Sequence, residues 1–299
     1  MTAASPPTQP AATSIAGILL MLAAVMLFAS MDTMAKYLGR YYPVPNLVWA
    51  RYTVHFLFML VFLGPRLRYR LLRTSHLALQ ILRALLLLGS TAFFFTALRF
   101  LPLAEASAIG FVTPLLVTAF SVPLLGEKVG PRRWTAVLIG FAGVLIVLHP
   151  GSGLLTWAAV LPLSSSLCFS LYQIITRKLS ASEDPFATLF YAALVGALVT
   201  SAALPFEWVS PTSLFHGLLI LLLGLLGGIS HFILIKAFER ASAAVLAPFG
   251  YSQLVYTTLL GYLVFGSFPD QLSVAGMLVI AGSGLYVAYR EALLRRAPG

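Results

Sequence analysis

The residues of this chain that could do chemistry are few, and all stand in apolar surroundings. Asp32 and Lys36 lie four apart in SMDTMAKYLGR, close enough on a helix to face one another. An acid within an apolar run is costly and often marks an ion or proton route. Asp32 is therefore a candidate coupling residue, with a salt bridge to Lys36 at the outer rim as the simpler reading. NLVWARYTVHF carries Arg51 and His55 about one turn apart. Arg51 either snorkels to the nearby edge, which the spacing favours, or faces a cavity and attracts a carboxylate. His55 reads as a packed, hydrogen-bonded histidine. In SSSLCFSLYQIITRK the residues Phe169, Tyr172, Gln173 and Thr176 recur at three and four and make one helical stripe. Aromatic faces beside amide and hydroxyl groups suit a small amphipathic solute, while the serines there also serve helix–helix contacts. His231 in GLLGGISHFILIKAF is a candidate for a cavity role, and Tyr251 and Gln253 in FGYSQLVYTT are candidates for direct contact; Phe111 and Thr113 stand just ahead of Pro114.

Other chemistries find no residues to carry them. The chain has no GxxxxGK[ST] loop, no HExxH and no GxSxG, and its five histidines are dispersed. One cysteine, Cys168, excludes an internal disulfide and a multi-cysteine metal site, and reads as a small packed residue. Paired carboxylates suited to acid–base catalysis are not evident. The expectation is a protein that is not an enzyme and uses no cofactor and no metal.

What must position these residues is a set of membrane helices. With 60% hydrophobic and 9% charged residues, the chain cannot build a water-facing surface of the usual composition. Ten apolar stretches approach the roughly 20 residues needed to cross a bilayer: about 14–35, 43–64, 76–97, 101–125, 132–149, 153–176, 186–205, 212–235, 242–265 and 271–290. Ala97 to Gly126 recurs, 140 positions on, as Ala237 to Gly266. In that register Ala104, Gly110, Thr118 and Gly126 fall on Ala244, Gly250, Thr258 and Gly266, and Ser30 and Pro45 on Ser170 and Pro185. The chain reads as a tail (1–13), a first unit (14–149), a second unit (150–290) and a cytoplasmic tail (291–299). An odd number of spans per unit forces the second to enter from the opposite side. The predicted fold is all-α and integral to the membrane, with ten transmembrane helices as two inverted five-helix repeats. Such designs bind a solute near the midplane between the repeats, at interrupted helices. Pro114 supplies one interruption, and Pro248 supplies another one and a half turns earlier in the second copy. Gly140 and Gly143 in the fifth span, with Gly276, Gly282 and Gly284 in the tenth, read as close-packing or self-association surfaces, which allows a homodimer.

The excess of 19 Lys and Arg over 9 Asp and Glu follows topology rather than a nucleic-acid partner. Alternating from a cytoplasmic N-terminus puts fourteen basic residues in the cytoplasmic connections, among them Arg66, Arg68, Arg70 and Arg73. Three, Lys36, Arg40 and Arg99, fall opposite. That asymmetry places both termini in the cytoplasm, with the bilayer and its headgroups as the partner surface. The N-terminal stretch lacks the basic n-region of a cleaved signal.

The duplicated ten-span pattern, ALRFLPLAEASAIGFVTPLLVTAFSVPLLGEKV and the glycine-bearing fifth helix resemble the EamA-type members of the drug/metabolite transporter superfamily, over 14–290. Within it the chain looks most like bacterial YddG-type exporters of aromatic and other neutral amino acids. The second copy departs from the pattern, with Leu254 for the proline and Gly266-Ser267 for Gly126-Glu127. The resemblance implies a cavity lined by helices one, three, four, six, eight and nine, with Phe111, Thr113, Phe169, Tyr172 and Tyr251 on its wall. Thr113 stands where the family has an aromatic beside the proline. The expectation is a secondary transporter in the bacterial inner membrane that exports amino acids or related metabolites by alternating access. The alternatives are uptake of a cofactor such as riboflavin or S-adenosylmethionine, or a non-transporting scaffold.

Overall fold

The computed structural model describes residues 15–126, 129–149, 156–179, 182–203, 208–241 and 243–296. The tail 1–13 and Glu127 lie outside them. Among the described residues the chain is helical and forms no strand. The first half holds α1 (Ile15–Leu38), α2 (Val44–Phe62), the single turn α3 (Gly64–Leu67), α4 (Leu77–Phe100), α5 (Leu103–Gly110), α6 (Thr113–Leu125) and α7 (Pro131–Val147). The second holds α8 (Val160–Leu179), α9 (Pro185–Ala203), α10 (Leu214–Phe238), α11 (Ala243–Gly250), α12 (Ser252–Phe265) and α13 (Gln271–Arg296). Seven segments are long and apolar enough to cross a membrane: α1, α2, α4, α5 with α6, α8, α9 and α10. The stretches expected as spans five, nine and ten contain shorter apolar helices, Trp134–Val147, Ser252–Phe265 and Gln271–Val287. The last helix runs to Arg296, so most of the expected tail 291–299 is helical.

The 140-residue register holds in three dimensions. Helices α5 and α11 begin and end on matched residues, Leu103–Gly110 and Ala243–Gly250. Gly126 and Gly266 close α6 and α12 with φ of 68° and 66°, the left-handed conformation that glycine adopts without a Cβ penalty. Pro45 and Pro185 both stand in the first turn of their helices, where a missing N–H costs nothing.

Packing obeys the same exchange of halves. Helix α1 lies on α10 and its mate α8 on α4; α2 lies on α10 and its mate α9 on α4; α6 meets α8 as α12 meets α1. The self-mated pairs α2–α9 and α7–α13 also pack. The exchange swaps the two ends of the bundle. The start of α2 is tied to the segment before α10: Asn46 Nδ2 donates to the Val209 carbonyl (2.9 Å), and Tyr42 Oη accepts from the Thr212 N–H (2.9 Å). At the other end the segment after α2 is tied to the segment before α9, where Arg70 pairs with Asp184 (3.3 Å) and the Ser75 N–H donates to Glu183 (2.8 Å). These two rims are mates of one another.

Close backbone approach explains the glycines. A Cβ on Gly143 would sit 2.9 Å from the Gly276 carbonyl, and one on Gly276 would sit 2.6 Å from that of Gly143. Helices α7 and α13 therefore use these glycines against each other within the chain. Gly224 and Gly228 do the same for α10 against Ala50, Val54 and His55 of α2. Cys168 lies half-buried, its sulfur close to Gly89 of α4.

Candidate functional site

Both interruptions fall at one register position, at Phe111–Val112 and at Tyr251. The expectation that Pro248 breaks its helix earlier is corrected, since Pro248 lies within α11. In the first copy Pro114 has no N–H for the Gly110 carbonyl, and the Thr113 hydroxyl takes its place at 2.9 Å. Ser166 Oγ of α8 lies 3.1 Å from the same carbonyl and shares its proton with the Pro162 carbonyl at 2.9 Å. In the second copy Leu254 has an N–H but turns it to the Tyr251 carbonyl three residues back (3.1 Å), a tighter turn that ends α11 without a proline. Phe111 and Tyr251 then stack on each other, ring centroids 5.1 Å apart and planes 25° apart. A residue that touches its own repeat mate stands on the axis relating the halves, so this pair marks the junction.

Thr113 and Gln253 are also mates, as are Asp32 and Tyr172, and Thr91 and His231. The candidate residues thus occupy a few positions used twice. The Phe169 ring stacks on Tyr172 (5.4 Å, 12°). Tyr172 is held from α4: Arg83 Nη2 donates to its hydroxyl (2.8 Å), and the guanidinium lies 4.5 Å from its ring centre. Arg83 Nε also donates to Thr176 Oγ1 (2.6 Å) and Nη1 to the Thr188 carbonyl (2.8 Å). All three nitrogens of this buried guanidinium are engaged, so Arg83 is the anchor of the stripe. Composition and spacing did not single it out. The signal was there in Tyr172 and Thr176, four apart and able to receive one fork of donors.

Arg51 is buried with 9% exposure rather than snorkelling. Its Nη1 donates to Thr91 Oγ1 (2.6 Å). Thr91 gives its own proton to the Leu87 carbonyl (3.0 Å), so Tyr52, 2.9 Å away, donates to it as well. The Arg51 Nε and Nη2 have no protein partner. Asp32, 6% exposed, is not paired with Lys36; that reading is corrected. Lys36 Nζ instead donates to the carbonyls of Leu98 and Leu101 at 2.8 and 2.6 Å, ending α4. Reaching the C-terminal carbonyls of α4 suits an ammonium better than a residue on its own helix does. Asp32 makes no hydrogen bond, and the charge that acts on it is Arg51.

His231 Nδ1 donates to the Gly227 carbonyl (2.8 Å), which leaves Nε2 as an acceptor. Its ring meets Phe28 edge-on (4.8 Å) and stacks on His55 (6.0 Å). His55 is buried but not hydrogen-bonded as expected, for its Nε2 is unpartnered. Of the three consecutive phenylalanines Phe93 to Phe95, only Phe95 is fully buried, 5.8 Å from Arg51. The serines of α8 serve packing: Ser165 bonds Ser90 and Ser166 bonds Gly110. The amides of Gln173 and Gln253, both half-buried, make no side-chain hydrogen bond among the described residues. Among the described residues no cluster of His, Cys, Asp or Glu could hold a metal ion.

The site therefore offers stacked aromatic pairs, unpartnered amides, and one acid and one guanidinium with open valences. Nothing in it resembles a reacting constellation. The EamA-like transporter family model matches the chain twice, over residues 15–149 and 156–289. The chain is 31% identical to the S-adenosylmethionine uptake transporter of Rickettsia bellii, over 87% of this chain and 89% of that one. It is 30% identical to the riboflavin transporter of Rhizobium johnstonii, over 95% of each. It is 26% identical to a pseudopaline exporter of Pseudomonas aeruginosa, over 88% of this chain and 93% of that one. A solved crystal structure shares the fold with a TM-score of 0.66 at 21% identity, over 92% of this chain and 98% of that one.

Proposed function

The chain belongs to the EamA-like transporter family, and from that premise we propose that it takes up a solute carrying a flat heteroaromatic ring, of the S-adenosylmethionine or riboflavin kind. The observation that carries this reading is the pair of aromatic stacks, Phe111 on Tyr251 at the junction of the halves and Phe169 on Tyr172 beside it. Flat faces already held in register suit a flat guest, and each ring stack contributes about 0.5–1.5 kcal/mol beyond area burial. The amides of Gln173 and Gln253, Thr113 and the Nε2 of His231 would bond its polar edges, and each bond lost would cost about 1–3 kcal/mol.

The export of aromatic amino acids, expected from resemblance, gives way to this reading. Two relatives, at 31% and 30% identity, are named for S-adenosylmethionine uptake and riboflavin transport, and an exporter stands among the relatives too. Ten crossings as two inverted units in the inner membrane, with both termini cytoplasmic, fit the exchange of rims and the distribution of basic residues. Interrupted helices α5–α6 and α11–α12 would tilt about Phe111 and Tyr251 to admit and release the solute.

The test is uptake by purified protein in liposomes of labelled S-adenosylmethionine, riboflavin and phenylalanine, with and without a proton gradient. Saturable uptake of one of the first two is expected, reduced at least tenfold by Tyr172→Ala. Phenylalanine transport alone would restore the exporter reading. Flux no greater than in empty liposomes would leave the scaffold.

A further inference from the structure

Resting on that reading, we propose that Asp32 and Arg51 form a charge-selecting pair that takes the cationic and the carboxylate ends of a zwitterionic solute. The pair sets the choice between a charged nucleoside amino acid and a neutral flavin.

Three observations carry it. Asp32 on α1 and Arg51 on α2 are each more than nine-tenths buried, yet among the described residues no hydrogen bond reaches the Asp32 carboxylate and only one is made by the Arg51 guanidinium. They form no salt bridge with one another, and Arg51 uses one nitrogen on Thr91 while Asp32 accepts nothing. Burying an ion without a partner costs several kcal/mol, and a guanidinium cannot escape by losing its proton. The other cations close by are already engaged. Arg83 has all three nitrogens bonded, and Lys36 is anchored on two backbone carbonyls. Asp32 and Arg51 are of opposite sign and within electrostatic reach of each other, and a group of each sign on one guest would satisfy both; the other buried carboxylate with an unpartnered oxygen, Glu105, acts on Lys36 instead.

The surroundings hold the guanidinium in place. Arg51 is gripped through Thr91, whose Oγ1 receives both Arg51 and Tyr52. Its guanidinium lies 5.5 Å from the Tyr52 ring and 5.8 Å from that of Phe95. Gly227 of α10 lets the Arg51 side chain pack closely against its backbone, since a Cβ there would come within 3.3 Å of it. The sulfonium of S-adenosylmethionine offers a cation to Asp32 and its carboxylate an anion to Arg51, whereas riboflavin offers neither.

Binding by the full-length protein in detergent distinguishes the outcomes. The probes are S-adenosylmethionine, its decarboxylated form, S-adenosylhomocysteine (no sulfonium charge) and riboflavin. In the unmodified protein, removal of the carboxylate should weaken binding about tenfold or more. In Arg51→Gln that penalty should shrink to less than about twofold, with Arg51→Lys between the two. In Asp32→Asn the preference for the sulfonium over its neutral thioether should disappear while the carboxylate penalty remains. Equal binding of the carboxylated and decarboxylated ligands by the unmodified protein would overturn the proposal without any variant having to fold. An unchanged penalty in a monodisperse Arg51→Gln protein would overturn it too. Binding of riboflavin but of no adenosyl compound would overturn this pair's role and leave the transporter reading standing. Binding of none of the four would bring down the parent reading.

Discussion

Two kinds of polar side chain lie between these helices, and they should behave differently when removed. Arg83 is engaged on every nitrogen, across α4, α8 and α9. Arg83→Met removes three bonds between helices, to the Tyr172 hydroxyl, Thr176 Oγ1 and the Thr188 carbonyl. At up to about 1–2 kcal/mol per interhelical bond, the variant should melt several degrees lower in detergent. Gln173 makes no side-chain hydrogen bond among the described residues, so Gln173→Ala should leave the melting temperature unchanged and weaken transport. The reverse ordering of the two variants would show that the partner-free amide is structural. At the rim a single carboxylate carries a similar load. Burial opposes the charge of Glu183, but donors from the Ser75 backbone, Thr74, His76 and Gln80 prevail and hold its pKa below the usual 4.5. A lowered pKa means stability present above pH 4.5 and lost as the pH falls through the shifted value. The melting difference between the unmodified protein and Glu183→Gln should therefore be largest near pH 7 and shrink towards pH 3.

Among the helices, the interruptions and stops are the informative features. Nothing lies within 4 Å of a Cβ built on Gly126 or Gly266. Alanine there would meet no neighbour, and its cost is purely that of the left-handed backbone, roughly 1–2 kcal/mol. Gly126→Ala and Gly266→Ala should each lower stability by that amount in thermal or chemical melts. A neutral result would mean these turns relax. Both glycines were legible in the sequence because a repeat matches residue types, and glycine at a forced conformation is a type that cannot drift. The interruption near Pro114 was legible for the same reason. Its counterpart was not, since Leu254 breaks the pattern by turning its N–H one residue short, a choice of hydrogen bond that leaves no mark on residue type. The stripe on α8 could be read from spacing three and four. Its anchor, Arg83, could not, because that depends on which helix packs opposite. Asp32 and Lys36 were misjudged for a related reason: spacing reports neighbours on one helix, and the Leu98 and Leu101 carbonyls arrive from another.

The whole molecule is two copies of one unit, with the ends exchanged, meeting at Phe111 and Tyr251. Rims are tied at both ends of the bundle, by Tyr42, Asn46 and Thr212 on one side and by Arg70, Glu183 and Asp184 on the other. Passage of a solute requires one set of ties to part while the other holds, which the exchange of halves makes equivalent. The central claim is that the guest sits where the copies meet. It is tested most directly by alkylation of a thiol placed there, Tyr251→Cys in a Cys168→Ser background, with the exposed Phe268→Cys as control. Saturating transported solute should slow maleimide labelling at position 251 severalfold and leave position 268 unaffected. Equal labelling at position 251 with and without solute would contradict a site at the junction.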